Sequence, residues 1–280
     1  MNHQFMKLGE FYLENSFITS DSYLRHSESC ERCAYHRSDA IFRNRIWRGD
    51  IHSSLLNPNL NDRNKTLILG HSDQKTKVAT IKFLQSIGYK KIFGINVDRY
   101  REISLPIPIG LTNNTSESEN HRLFGNNELF TIANDVDFLS ESNGLVYGCF
   151  STSTNKKERE PLARLLSKAP HTFEEPTFSI EGRILYLKNL RRHAFTVCPV
   201  GNGIDTHRLW EVLYMGGIPV IRKNRILESL LEELPYVLVD NWEQIENRTF
   251  LQECWQRLSK GKYDFDRLKL SYWINFMHSK

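Results

Sequence analysis

The stretch FTVCPVGNGIDTHRLWEVLYMGGIPV, residues 195–220, decides the fold. It opens with an apolar segment that predicts a strand, and then enters a glycine-containing loop followed by a capped helix. Gly216 and Gly217 come next, and they allow the helix to end and the chain to return directly to a second strand, IPV. This order is that of a βαβ unit, so the stretch predicts neighbouring parallel strands in an α/β protein.

The loop and the helix start of this stretch have the features of an anion-binding site. Gly201 and Gly203, on either side of Asn202, allow a tight turn and bring the backbone close to a ligand. Asp205 or Thr206 is predicted to cap the helix. The remaining N–H groups of the first turn and the positive end of the helix then point at one place, where an anion can bind.

Two charged residues inside the helix indicate which anion this is. Arg208 and Glu211 are three residues apart and therefore lie on one helix face. Arg208 can donate charge-assisted hydrogen bonds to a diphosphate, and Glu211 can accept two hydrogen bonds from the diol of a ribose. The alternative is that the two residues only pair with each other on a solvated face. The βαβ context favours the first interpretation, a nucleotide-sugar site.

Strands and helices alternate along most of the chain. Residues 1–60 are predicted to be mixed and mainly helical, and the tail from Trp242 to Trp273 is predicted to be helical. Strands are predicted at KTLILG (65–70), KKIFGINVD (90–98) and GLVYGCFS (144–151), with a helix at VATIKFLQSIGY (78–89). The pattern predicts an α/β protein with parallel sheets and two domains, residues 1–145 and residues 146–280.

The composition is that of a globular protein. The chain has 280 residues, of which 40% are hydrophobic and 25% charged, with a net charge of +4. This excess is too small to indicate nucleic acid and suits an anionic small molecule. No run approaches the roughly 18 apolar residues of a membrane span, and the N-terminus lacks the features of a secretory signal. We therefore expect a cytoplasmic protein, with its oligomeric state left open.

The five cysteines do not form a disulfide framework, because their number is odd and their spacing irregular. Cys30 and Cys33 lie between His26 and His36 in HSESCERCAYH, and these four residues could bind zinc. The alternative is a reduced cysteine pair on a helix or turn. Zinc motifs usually separate their two ligand pairs by about a dozen residues or more, and this compact spacing does not match them, so we expect no metal here.

The segment CPVGNGIDTHRLWEVLYMGGIPVI (198–221) resembles the donor-site signature of exostosin-like glycosyltransferases. That signature has a Cys-Pro-x-Gly loop, an arginine, a glutamate and a Gly-x-x-Pro-hydrophobic exit. A weaker resemblance extends to FSTSTNKKER (150–159) and YVLVDNW (236–242), and the N-terminal half is similar only by pattern. The chain also resembles short, soluble, virus-encoded enzymes of this kind, including xylosyltransferases.

The resemblance implies the GT-B architecture, in which a cleft separates two Rossmann-like domains and the C-terminal one holds the donor. It implies transfer of a sugar with inversion from a nucleotide diphosphate, UDP and xylose being favoured, to a hydroxyl of a glycan acceptor. Such enzymes need no metal or other cofactor, because positive groups and a helix dipole stabilise the departing diphosphate. Asn155 and Arg159 could also reach a phosphate, although capping and a solvated arginine explain them equally well. A non-catalytic nucleotide- or glycan-binding protein is the alternative function.

In such an enzyme the catalytic base comes from the N-terminal half. His71 and Asp73 follow the first predicted strand, at the end where open α/β sheets bind their ligands. Either could take the proton of an acceptor hydroxyl, and Asp98, predicted to end the next strand, is a third candidate. The alternative role for His71 and Asp73 is a turn that caps the following helix.

Overall fold

Two parallel sheets form the framework of the protein. The computed structural model describes residues 17–37, 66–71, 75–112, 145–168 and 170–280. The first sheet contains, in spatial order, β1 (Cys33–Arg37), β2 (Thr66–Gly70), β3 (Lys91–Gly94) and β4 (Ser104–Pro106). The second contains β5 (Val146–Cys149), β6 (Thr172–Glu174), β7 (Phe195–Val197), β8 (Ile218–Arg222) and β9 (Val237–Val239), in the spatial order β6-β5-β7-β8-β9. Every pairing between these nine strands is parallel, so the predicted α/β class with parallel sheets is confirmed.

Helices connect and cover these strands. They are α1 (Ser20–Ser29), α2 (Val78–Ser86), α3 (Lys156–Leu166), α4 (Ile180–Arg192), α5 (His207–Tyr214), α6 (Arg225–Leu230), α7 (Arg248–Leu258) and α8 (Leu270–Ser279). Single 3₁₀ turns occur at Thr152–Asn155, Trp242–Glu246 and Phe265–Leu268. In the described ranges no helix has the length and apolar content needed to span a bilayer.

The βαβ unit predicted at residues 195–220 is present. β7 and β8 pair in parallel with Phe195 opposite Ile218, and α5 connects them. The helix ends where Gly216 adopts a φ of 78°, a left-handed conformation that favours glycine. The N–H of Gly217 then donates to the carbonyl of Val212 at 2.9 Å, which closes the helix and directs the chain into β8.

Two strands of the first sheet differ from the prediction. β1 was not predicted, since residues 1–60 were expected to be mixed and mainly helical. The described part of that segment, residues 17–37, forms α1 and then this strand. Its sequence, CAYHR, ends in two polar residues and lacks the apolar run that marks β2. β3 ends at Gly94 instead of Asp98, because Asn96 has a φ of 55° and turns the chain out of the sheet.

The last helix, α8, crosses to the N-terminal sheet. The Phe276 ring packs edge-on against Phe93 of β3 with centroids 5.9 Å apart, and Met277 is buried in the same hydrophobic core. That core continues through Trp210 of α5, so both sheets contribute to it. The strands divide between residues 106 and 146, and the domain boundary at residue 145 stays a prediction.

Candidate functional site

The loop that follows β7 is held in a tight turn by an arginine from α3. The N–H of Gly201 donates to the carbonyl of Gly203 at 3.0 Å. Arg159 donates from Nε to the carbonyl of Val200 at 3.0 Å and from Nη2 to that of Pro199 at 3.3 Å. A Cβ on Gly201 would lie only 2.8 Å from Arg159 Nη2. A side chain at this position would displace the guanidinium from its hydrogen bonds with the loop.

The remaining contacts of Arg159 fasten the same loop to the start of α3. Its Nη1 donates to the carbonyl of Ser151 at 2.9 Å and to the hydroxyl of Thr154. Four of its five N–H hydrogens are thus directed at protein acceptors, which leaves one for a ligand. Arg159 is only 5% exposed, so the alternative of a solvated arginine is wrong. Burial, together with the nearby Arg208 charge, lowers its pKa to about 10.

Asn155 supports the same loop. Its Nδ2 lies 3.3 Å from the carbonyl of Val200 and 3.4 Å from Glu158 Oε2. Asn155 stands at the N-cap position of α3, but its side chain makes no capping hydrogen bond. Its amide therefore positions the loop, and the predicted contact with a phosphate stays a prediction.

The capping of α5 differs from the prediction. Thr206 occupies the N-cap position, but its hydroxyl makes no capping hydrogen bond. The Asp205 carboxylate instead accepts hydrogen bonds from the N–H of Ile109 at 2.7 Å and from Trp210 Nε1 at 2.8 Å. Asp205 is buried against the first sheet, so it bridges the two halves instead of capping the helix. Burial raises its pKa to about 7, although these hydrogen bonds act in the opposite direction.

Further hydrogen bonds join the start of α5 to the carboxyl-end loops of the first sheet. The N–H of Asp205 donates to Asn96 Oδ1 at 2.7 Å, and His207 Nδ1 donates to the carbonyl of Gly110 at 2.8 Å. Asn96 follows β3, and Ile109 and Gly110 follow β4. The loops after the strands of both sheets therefore meet at the start of α5.

Arg208 lies at this junction with an unused hydrogen-bond donor. Its guanidinium is 5.7 Å from the ring centroid of Phe150, and that of Arg159 is 5.6 Å from the same ring. Arg208 Nε is buried and has no hydrogen-bond partner among the residues that the structure describes. No carboxylate of the described ranges forms an ion pair with Arg208. Two guanidinium groups beside one ring, one with a free donor, form a site suited to an anion.

Glu211 has protein partners on α4. Its Oε1 is 2.8 Å from Arg183 Nη1, and its Oε2 accepts a hydrogen bond from the hydroxyl of Tyr186 at 2.7 Å. The alternative in which Arg208 and Glu211 pair on a solvated face is wrong, because Glu211 is 4% exposed and pairs with Arg183. Burial alone would raise the pKa of Glu211, but the Arg183 charge and the Tyr186 hydrogen bond hold it below the usual value.

Arg183 and Tyr186 were not predicted as parts of the site. They lie three residues apart on α4, which the sequence shows only as an amphipathic helix. Oε2 of Glu211 accepts one hydrogen bond in the structure, and Oε1 makes the ion-pair contact with Arg183. Each oxygen can accept a further hydrogen bond. The ion pair therefore orients Glu211 without using up its capacity to bind hydroxyl groups.

His71 is part of a hydrogen-bonded chain at the carboxyl end of β2. Its Nε2 is 2.8 Å from Asp21 Oδ1, and its Nδ1 bonds the hydroxyl of Tyr35. His71 follows Gly70 directly, with a φ of 53°. The N-cap of α2 is Lys77, so His71 does not cap that helix.

The other two candidate bases have different outcomes. Asp73 lies outside the described residues. Asp98 lies beyond the end of β3, with its Oδ1 2.9 Å from Lys75 Nζ in a partly exposed ion pair. Of the two candidates that are described, His71 is the one whose side chain contacts a carboxylate, that of Asp21.

The zinc hypothesis changes in one ligand. His26, Cys30 and Cys33 do converge, and His278 from α8 joins them, with all four ligand atoms within 4.8 Å of one another. His36 belongs to β1, and its side chain is outside the described part. None of the five cysteines, all of which lie in the described ranges, forms a disulfide.

No protein-family model matches the chain, and a search of curated proteins returns no match. The function therefore has to be argued from the site itself.

Proposed function

We propose that the chain is a GT-B glycosyltransferase that transfers a sugar from a nucleotide diphosphate to a hydroxyl of a glycan, with inversion. The observation that carries this proposal is Arg208, whose buried Nε has no hydrogen-bond partner among the described residues. An arginine that lies beside a second guanidinium and forms no ion pair with a described carboxylate is costly to bury unless an anion occupies the site. A diphosphate supplies that anion.

The relation between the two halves supports a donor site at this junction. The loops that follow β3, β4 and β7 meet at the start of α5, as the hydrogen bonds of Asp205 and His207 demonstrate. In open α/β sheets, ligands bind outside the carboxyl ends of the strands. The GT-B arrangement brings two such ends together, with donor and acceptor between them.

In this proposal each donor residue has a distinct task. Arg208 and the first-turn N–H groups of α5 bind the diphosphate, beside the turn formed by Gly201, Asn202 and Gly203. Glu211 accepts hydrogen bonds from the ribose diol. UDP and xylose are favoured by the resemblance to exostosin-like enzymes, and the reaction takes place in the cytoplasm, that of the host if the chain is viral.

The same groups would stabilise the charge that develops in the reaction. The acceptor oxygen bonds to the anomeric carbon as the bond from that carbon to the diphosphate oxygen breaks. The electron pair of the broken bond stays on the diphosphate, next to Arg208 and the positive end of α5. Positive groups held in place before the reaction provide this stabilisation without a metal.

His71 is the base that we propose for the acceptor proton. Asp21 accepts the Nε2–H of His71, so Nδ1 is the basic nitrogen. The hydroxyl of Tyr35 contacts Nδ1 in the structure, and an acceptor hydroxyl would take its place there. Asp21 would then stabilise the imidazolium that forms. Asp73 remains the alternative base.

Arg208→Ala is expected to weaken UDP binding about 10- to 100-fold, because charge-assisted hydrogen bonds contribute roughly 1.5–3 kcal/mol. Isothermal titration calorimetry with UDP measures this directly. Arg164→Ala is the matched control, since Arg164 is an exposed arginine on α3 and should leave binding unchanged. Equal UDP affinity in the wild type and Arg208→Ala would overturn the assignment of the donor site.

His71→Gln and Asp21→Asn are expected to reduce transfer about 10²- to 10⁴-fold, while UDP affinity stays unchanged. Product formation is measured by mass spectrometry on a panel of glycan acceptors with UDP- and GDP-sugars. Asp98→Asn is the control and should retain activity. Full activity of His71→Gln combined with loss in Asp73→Asn would move the base to Asp73. UDP binding by the wild type without any product would favour the non-catalytic binding protein.

A further inference from the structure

A compact cluster of metal-ligating side chains lies outside the proposed donor site. Cys30 and Cys33 have their Sγ atoms 2.8 Å apart, and His26 Nε2 is 3.9 Å from Cys33 Sγ. The His26 ring contacts the His278 ring with centroids 5.4 Å apart. One ligand atom from each of the four residues lies within 4.8 Å of the other three. We propose that these residues form a structural zinc site.

The ligand set is complete for zinc. Two thiolates and two imidazoles make up a common structural coordination set, Cys₂His₂. With Zn–S bonds of about 2.3 Å and Zn–N bonds of about 2.0–2.1 Å, tetrahedral ligands are roughly 3.3–3.8 Å apart. The observed separations bracket that range. Side-chain shifts of about an ångström would therefore accommodate the ion.

The backbone already holds the two cysteines in place. Cys30 is the C-cap residue of α1, and Cys33 begins β1. The N–H of Cys33 donates to the carbonyl of Cys30 at 3.1 Å, which closes the turn between them. Cys33 is buried, whereas His278 is exposed on the last turn of α8. The site is thus fixed on one side by α1 and β1, and His278 approaches from the surface.

The location of the cluster indicates a structural role. Cys33 and Thr66 are the first residues of their parallel strands, so the cluster is at the amino end of the first sheet. His71 follows β2 at the opposite, carboxyl end. α1 has ten residues and spans about 15 Å, with Asp21 of its first turn near His71 and Cys30 at the far end. The zinc would therefore lie away from the reacting groups.

The connection that zinc would make is between the two ends of the described chain. His278 is the one ligand that does not come from residues 26–33. Phe276 and Met277, just before it, pack into the hydrophobic core that includes Phe93. A bond from His278 to a zinc ion on Cys30 and Cys33 would fasten α8 to the N-terminal half. The inference does not depend on the proposed transferase activity.

The full chain should contain about one equivalent of zinc when it is expressed in zinc-supplemented medium and purified by gel filtration. Elemental analysis measures the metal, and titration under denaturing conditions counts the thiols. Cys30→Ser and Cys33→Ser should each lower the zinc content at least tenfold. Cys254→Ser removes a buried cysteine of α7 in another core cluster, and it should retain the full equivalent.

His278→Ala tests the connection to α8. It should weaken zinc binding at least tenfold and make the C-terminal residues more susceptible to limited proteolysis. His171→Ala, a partly buried histidine outside the cluster, is the control for losing an imidazole. Unchanged zinc affinity in His278→Ala would overturn the role given to His278.

Titration of metal-free wild-type protein with Co²⁺ provides a test that needs no variant to fold. The expected result is the intense visible absorption of tetrahedral cobalt together with a thiolate charge-transfer band. The proposal is overturned if zinc-replete protein contains no zinc and Co²⁺ produces no such spectrum. It is also overturned if the wild type isolated under reducing conditions holds Cys30 and Cys33 as a disulfide.

Discussion

Arg183→Met is expected to lower the free energy of unfolding by about 3–5 kcal/mol, because it leaves the Glu211 carboxylate buried without its cation. The two side chains are 3% and 6% exposed, so water cannot replace the lost partner. The hydrogen bond from Tyr186 to Glu211 remains, but it does not neutralise the charge. Urea denaturation of the two proteins at pH 7 measures the difference.

The effect of Arg183→Met should depend on pH with a definite sign. In the wild type the pKa of Glu211 is lowered, so the stabilisation is present at neutral pH and is lost as the pH falls through that value. In the variant, burial raises the pKa of the unpaired carboxyl, and protonation relieves the cost. The difference between the two proteins should therefore shrink as the pH is lowered from 7 towards 4.

Two comparisons separate the buried ion pair from a general effect of lost charge. The Lys75–Asp98 pair has a similar N···O distance of 2.9 Å, but its side chains are 43% and 23% exposed. Lys75→Met should therefore cost at most about 1 kcal/mol. The double variant Arg183→Met/Glu211→Gln should regain a large part of the stability lost in Arg183→Met. A loss under 1 kcal/mol in Arg183→Met would contradict the buried pair.

Asp205→Ala is expected to lower the free energy of unfolding by about 2–5 kcal/mol at pH 5, because it leaves buried donors unpaired. The N–H of Ile109 and Trp210 Nε1 would both lose their acceptor. One of these donors follows β4 and the other lies on α5, so the contact between the two halves is weakened. Urea denaturation at pH 5 measures this loss.

Asp205 should also produce a pH dependence of stability. Burial raises its pKa in the folded protein to about 7, whereas an unfolded aspartate has a pKa of about 3.9. Between these values the folded protein retains a proton that the unfolded chain has released, so stability falls as the pH rises. At 1.36 kcal/mol per unit, the contribution amounts to about 4 kcal/mol.

Asp205→Asn removes this titration while keeping the size of the side chain. Its stability should lack the decrease attributed to Asp205 between pH 4 and pH 7, whereas Asp240→Asn, at an exposed aspartate, should follow the wild-type curve. Parallel curves for the wild type and Asp205→Asn would contradict the raised pKa.

Local features of the fold could be predicted because they depend on residues close together in the chain. The strand–loop–helix–strand order of residues 195–220, with its glycine pair at Gly216 and Gly217, is visible in the sequence and present in the structure. The ends of β3 and the existence of β1 could not be predicted, since they depend on pairing with β2 and on the turn at Asn96. Strand pairing is a long-range contact that local pattern does not specify.

In the candidate site, too, the sequence predicted local features but not the long-range contacts. The spacing of Arg208 and Glu211 placed them on one helix face, but their partners lie elsewhere in the chain. Glu211 pairs with Arg183 of α4, and Asp205 accepts from Ile109, 96 residues earlier. Of the two residues predicted to cap α5, Thr206 holds the N-cap position, without a side-chain hydrogen bond. The Asp205 carboxylate instead accepts hydrogen bonds from Ile109, far away in the chain, and from Trp210.

By itself the sequence determined the parallel α/β class, the glycine loop with its helix, and the paired cysteines at residues 30 and 33. Only the tertiary structure decided which charges are paired and which histidine joins the cysteines. Among the described residues, that pairing leaves Arg208 with an unused donor. His278 lies 245 positions after Cys33, a separation that no motif spacing reveals. The physical reason is that hydrogen bonds and metal coordination depend on distance in space, whereas sequence patterns record only distance along the chain.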